Sequence, residues 1–127
     1  MNKLSAICLS AALVSGCAVI DRLDGSRCAP TADGRVPVES VQVMNTNWKL
    51  LACIPIASGD TKHPDDCTCS WFSDTVTLQN QLDMLAAEAK RVGATKAVNV
   101  ETAYTDERIL FFLLKREKMH TSATLVK

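Results

Sequence analysis

Two histidines, one tyrosine and 5% aromatic residues in a chain of 127 leave little of the material from which active sites are usually built. The histidines, His63 and His120, sit in no motif with a nucleophile and an acid, so covalent hydrolysis of the nucleophile–base–acid kind is not spelled out. No G-x-S-x-G, glycine-rich phosphate loop or H-E-x-x-H occurs, which closes the usual routes to hydrolase, nucleotide or zinc-peptidase chemistry. Charge of one sign is also missing: 14 basic residues balance 14 acidic ones, so no basic stripe points to nucleic acid or to an anionic surface. Nor is there a long hydrophobic run. The stretch 4–14 (LSAICLSAALV) is uncharged but short, whereas a helix needs about 20 apolar residues to cross a bilayer.

That short run is informative because of what surrounds it. Met1-Asn2-Lys3 supplies a positive charge before it, and Val14-Ser15-Gly16-Cys17 follows it. A charged start, a short apolar core and small residues form a secretory signal, and no A-x-A cleavage site lies nearby. The tetrapeptide resembles the lipobox of bacterial prolipoproteins. The resemblance implies a diacylglyceryl group on the sulfur of Cys17, cleavage before it and acylation of the new amino group. Two or three acyl chains hold a protein firmly where one does so only marginally. Ala18 rather than Asp follows the cysteine, which by resemblance to enteric lipoproteins implies the outer membrane, facing the periplasm. The expected organisation is a signal peptide over 1–16, a lipidated tether over 17–35 (rich in Gly, Pro, Asp and Arg) and one small periplasmic domain over 36–127.

Cys8 leaves with such a signal and Cys17 is modified, so Cys28, Cys53, Cys67 and Cys69 remain. An even number in an oxidising compartment suggests disulfides, each adding about 2–4 kcal/mol. Cys67 and Cys69 are too close to bond each other well; the preferred arrangement joins Cys53 to one of them and Cys28 to the other. The alternative is a metal site, since His63, Cys67 and Cys69 offer an imidazole and two thiolates within seven positions. C-x-C is not the C-x-x-C of thioredoxin-like redox sites. Asp65 and Asp66 are adjacent carboxylates in a turn, and Trp48, Trp71, Phe72, Phe111 and Phe112 are expected to fill a core.

The expected fold class is α+β, a two-layer sandwich in which a sheet of about four strands carries one amphipathic helix on one face. Val36, Val38, Val41 and Val43 suit a first strand, Asn45-Thr46-Asn47 a turn, and 48–56 (WKLLACIPI) a second strand. Leu78, Leu82, Leu85, Ala86, Ala89 and Val92 recur at helical spacing over 75–92, with Asp74 or Thr77 to cap the start and Gly93 to end it. Residues 94–104 read as a strand, Thr105-Asp106-Glu107-Arg108 as a turn, and the segment from Lys115 as a terminal strand. The run 109–114 (ILFFLL) fits either a buried strand or a short helical piece.

This order, together with AAEAKRVGATKAVNV, resembles the small domain of the Rcs stress-sensing lipoproteins and related heavy-metal-binding-like proteins, over about residues 40–127. The functional expectation is a non-enzymatic, membrane-anchored domain without a cofactor that binds another envelope component, in sensing, assembly or protection. The alternatives are metal handling through His63, Cys67 and Cys69, and a small enzyme inhibitor.

Overall fold

The computed structural model describes residues 16–66, 68–111 and 113–127. The signal segment up to Ser15, with Val14 and Ser15 of the lipobox, lies outside the described residues, as do Cys67 and Phe112.

The chain is α+β: an antiparallel sheet of six strands and, among the described residues, one α-helix. The strands are β1 (Ala18–Asp24), β2 (Pro37–Leu50), β3 (Ile54–Gly59), β4 (Cys69–Trp71), β5 (Lys96–Ile109) and β6 (Leu114–Val126); the helix is α1 (Leu78–Val92). The sheet runs β4-β3-β2-β6-β5, with β2 at its centre. One edge of β2 pairs with β6 along nearly its whole length. Its other edge is shared, β1 taking Glu39 to Asn45 and β3 taking Asn47 to Leu50.

Two strands more than expected are present, and β1 is the instructive one. The composition of residues 18–24 predicts part of a tether, yet Ala18 and Ile20 point into the core and the strand pairs with β2 over seven residues. Only two apolar positions mark its inner face before Arg22 interrupts the alternation, too few for periodicity to register. Arg22 is tolerated there because Glu88 and Asp65 neutralise it.

β2 also runs straight through the expected turn at Asn45-Thr46-Asn47. Both asparagines are fully buried on the inner face, and their amide nitrogens bond the segment entering α1: Asn45 Nδ2 donates to Thr75 O and Asn47 Nδ2 to Asp74 Oδ1, each at 2.9 Å, while both Oδ1 atoms are buried without a hydrogen-bond partner. Residues 48–56 are therefore not one strand. Trp48 to Leu50 finish β2, a tight turn follows, and β3 starts at Ile54.

The helix ends at Val92 as the pattern predicts but starts at Leu78, three residues later than Thr75. The Thr77 hydroxyl accepts from Asn80 N at 3.2 Å, and Gly93, at φ +67°, takes the left-handed conformation that ends α1. Its buried stripe is rotated from the expected one. Gln81, Met84, Leu85 and Glu88 face the sheet, while Leu78 and Leu82 are exposed. Two polar anchors fix the rotation: Gln81 Nε2 donates to Met119 O, and Glu88 binds Arg22 and Arg91. Ala18, Ile20, Val41, Val43, Met84, Leu85, Ala123 and Leu125 make the core between helix and sheet. The opposite face of the sheet carries no helix among the described residues.

β5 continues through Thr105-Asp106-Glu107-Arg108, where the turn was expected, paired with Lys115 to Lys118. The connection to β6 is instead the apolar run itself. Ile109 ends β5 and Leu114 starts β6; between them Leu110 and Phe111 take positive φ and Leu113 N donates to Leu110 O, so the run is the reversal of a hairpin and not one buried strand or a helical piece.

Candidate functional site

The β2–β3 and β5–β6 turns lie side by side at one end of the sheet, because Leu50 and Leu114 are partners in the β2–β6 ladder. Leu51 N donates to Leu113 O at 2.9 Å and joins the two tips. Each tip closes its own turn as well, through Cys53 N to Leu50 O and Leu113 N to Leu110 O, both 3.2 Å. Four residues at these turns have positive φ: Leu51, Ala52, Leu110 and Phe111. Turn positions with φ > 0 normally carry Gly or Asn, since other L-residues pay a steric cost in that region.

The side chains presented there are large and apolar. Phe111 is 91% exposed, Leu110 64%, Leu51 55%, Leu113 54% and Ile54 48%. No charge occurs between Lys49 and Asp60, nor within 109–114. Phe72 and Trp71, expected in the core, are also exposed, beside β3 on the adjoining edge, where Phe72 N donates to Ile56 O. Trp48 alone among the described aromatics of that group is buried, with the Arg116 guanidinium 5.6 Å from its ring centroid.

A charged collar sits immediately behind the tips. Lys49 Nζ lies 2.6 Å from Asp74 and 2.8 Å from Glu117; Lys115 Nζ lies 2.8 Å from Glu117 and 3.4 Å from Asp106. Arg116 pairs with Glu107 on the opposite face. Burial of Glu117 works against its charge, but hydrogen bonds from Lys115, Lys49 and Tyr104 outweigh it and hold the carboxyl below the usual range. The Tyr104 hydroxyl is pushed up, by burial first and then by Glu117. A second network ties the far half together: Glu88 and Glu39 both bind Arg91, and Arg22 bridges Glu88 to Asp65. Burial again opposes ionisation of Glu88, and the two guanidiniums prevail.

Cys17 enters the sheet toward the same end. β1 is antiparallel to β2, so the chain traced back from Ala18, the partner of Asn45, heads for the tips. It cannot continue along β2, because β3 occupies that edge from Asn47 onward. A Cβ on Gly59 would come within 2.2 Å of Ala18 N and 2.5 Å of Cys17 C, which shows how tightly β3 abuts the entering chain. Thr46 N donates to Cys17 O at 3.0 Å, the last ladder-like bond before the chain leaves the sheet.

The remaining sequence candidates are not brought together. Cys28 follows the short turn after β1, near the Pro37 end of the sheet, and Cys53 lies in the tip at the opposite end. Cys69, paired with Gly59 at the start of β4, donates to Gly16 O at 2.9 Å. The length of β3 separates Cys53 from Cys69, on the order of 15–20 Å at about 3.3 Å per residue, against a Cα reach of about 7 Å for a disulfide. Cys67 is outside the described residues. His63 is exposed, with Nδ1 3.1 Å from Asp60 Oδ2, and no cluster of metal-ligating side chains occurs among the described residues. His120 lies mid-strand in β6, opposite Met44 and Ala103. Asp65 faces Arg22, while Asp66 closes the turn onto His63 O.

The sequence did contain a signal for the tips: two uncharged apolar runs, LLACIPIA and ILFFLL, each at a chain reversal. No helix among the described residues is long and apolar enough to cross a membrane. No protein-family model, curated protein or solved structure matches the chain.

Proposed function

We propose that the chain is the precursor of a bacterial envelope lipoprotein, anchored through Cys17 on the periplasmic side of the outer membrane. Its non-enzymatic, two-layer domain binds another envelope component in sensing, assembly or protection. The observation that carries this reading is the position of the lipobox cysteine, immediately before Ala18 and the first paired strand. An acylated Cys17 would hold the sheet directly at the lipid surface, with no slack between anchor and fold. The polar networks and the half-exposed second face of the sheet leave a stable platform on which a partner can dock.

Metabolic labelling tests the anchor. Cells expressing the full chain are fed an alkynyl fatty acid, and the wild type is compared with Cys17→Ala. Label in the wild type and none in the variant is the expected result; equal label, or none in either, overturns the reading. Photo-crosslinking in intact envelopes tests the binding role, which predicts a discrete crosslinked species dependent on acylation.

A further inference from the structure

We infer that the joined hairpin tips, residues 50–54 on one hairpin and 109–111 with 113–114 on the other, enter the lipid bilayer beside the Cys17 anchor and form a second membrane contact. The inference rests on the lipoprotein reading above and adds to it how the domain is oriented.

Four independent features of the tips point to lipid. First, Leu51, Leu110, Phe111 and Leu113 present apolar side chains outward from two separate hairpins at one end of the sheet. Contiguous exposed apolar surface of this kind marks a contact site. Second, the left-handed turn positions carry Leu51, Ala52, Leu110 and Phe111, where Asn or Gly would relieve the backbone. Apolar residues kept at a conformational cost indicate that the side chains themselves are used. Third, three backbone hydrogen bonds close the tips: Leu51 N to Leu113 O, Cys53 N to Leu50 O and Leu113 N to Leu110 O. Backbone entering a hydrocarbon phase needs such internal partners. Fourth, the uncharged tip stops at Lys49 and Lys115, one residue behind Leu50 and Leu114. Residues beyond this collar span roughly 7 Å of hairpin, which matches the depth of about 5–10 Å reached by interfacial elements.

The anchor lies on the correct side. Ala18 pairs with Asn45, five ladder positions from Leu50, about 17 Å along the strand, and the chain preceding Ala18 runs toward the tips. Cys17, level with Thr46, lies about 10 Å behind the Lys49 collar, on the half of the sheet nearest the tips. Trp71 and Phe72, exposed on the adjoining edge, fall near the headgroup level where aromatic side chains are favoured.

The test is a bromolipid experiment on the full chain carrying Phe111→Trp, extracted from membranes and reconstituted in phosphatidylethanolamine–phosphatidylglycerol vesicles with or without brominated acyl chains. The intact mass of the same sample reports acylation of Cys17. With Cys17 acylated, the fluorescence added by the substitution should fall at least twofold in brominated vesicles, and Leu51→Trp, on the other hairpin, should behave alike. Acylated protein whose added fluorescence is unaffected by bromine in both variants overturns the inference and leaves the lipoprotein reading intact. A blue-shifted emission insensitive to bromine, with a dimer in detergent, overturns it in favour of contact between copies. A mass without lipid removes the lipoprotein reading, and this inference with it.

Discussion

The backbone N–H of Leu51 donates to the carbonyl of Leu113 at 2.9 Å, so the turns of two hairpins far apart in sequence form one apolar end. That bond follows from the long β2–β6 ladder, which carries Leu50 and Leu114 to the same level. The tips cannot be repositioned separately without breaking the centre of the sheet.

Replacing Leu110-Phe111 with Asn-Gly is expected to stabilise the domain by about 1–3 kcal/mol, because both positions have positive φ and these residues relieve the steric cost there. The measurement is the urea midpoint. Affinity of the same variant for vesicles should fall. A loss of stability would mean that the exposed side chains pack more than they present.

Arg22 holds two elements against β1, through Glu88 on the helix and Asp65 in the loop before β4. Glu88 is 4% exposed, so Arg22→Ala strands a buried carboxylate and should cost about 2 kcal/mol, softened because Arg91 remains bonded to it at 2.6 Å. Asp65→Ala touches only the exposed half of the bridge and should cost less than about 1 kcal/mol. Equal costs in chemical denaturation would contradict this division.

Glu88 and Glu117 are both held below the ordinary glutamate value of 4.5, so each binds its proton less readily folded than unfolded. Their contribution is complete above that ordinary value and is lost as pH falls through the lower folded values. Stability should therefore be flat near neutrality and drop below about pH 5. Glu88→Gln should flatten part of that drop when urea midpoints are followed from pH 7 to pH 3. An unchanged slope would show that the carboxylate is not the group titrating.

Local signals carried the parts of the fold that are local. The helix, its Thr77 cap and its Gly93 stop were legible because spacing, capping and termination all lie within one short segment. β1 was not, since its inner face shows only Ala18 and Ile20 before a charged residue whose neutralising partner, Glu88, is 66 residues away. Asn45 and Asn47 read as turn residues because their amides usually serve local bonds; here they reach Thr75 and Asp74 across the core. The apolar run 109–114 misled for a different reason. Turn chemistry and side-chain character disagree there, and such conflicts between levels are expected where residues serve a contact rather than the fold.

Whether the domain is held to the membrane through Cys17 is decided by the intact mass of membrane-extracted protein, with its N-terminal fragment sequenced. A lipid-anchored domain yields a mature chain that begins at Cys17 and carries diacylglycerol and a further acyl group. A mature chain beginning elsewhere, or an unmodified Cys17, would contradict that anchoring.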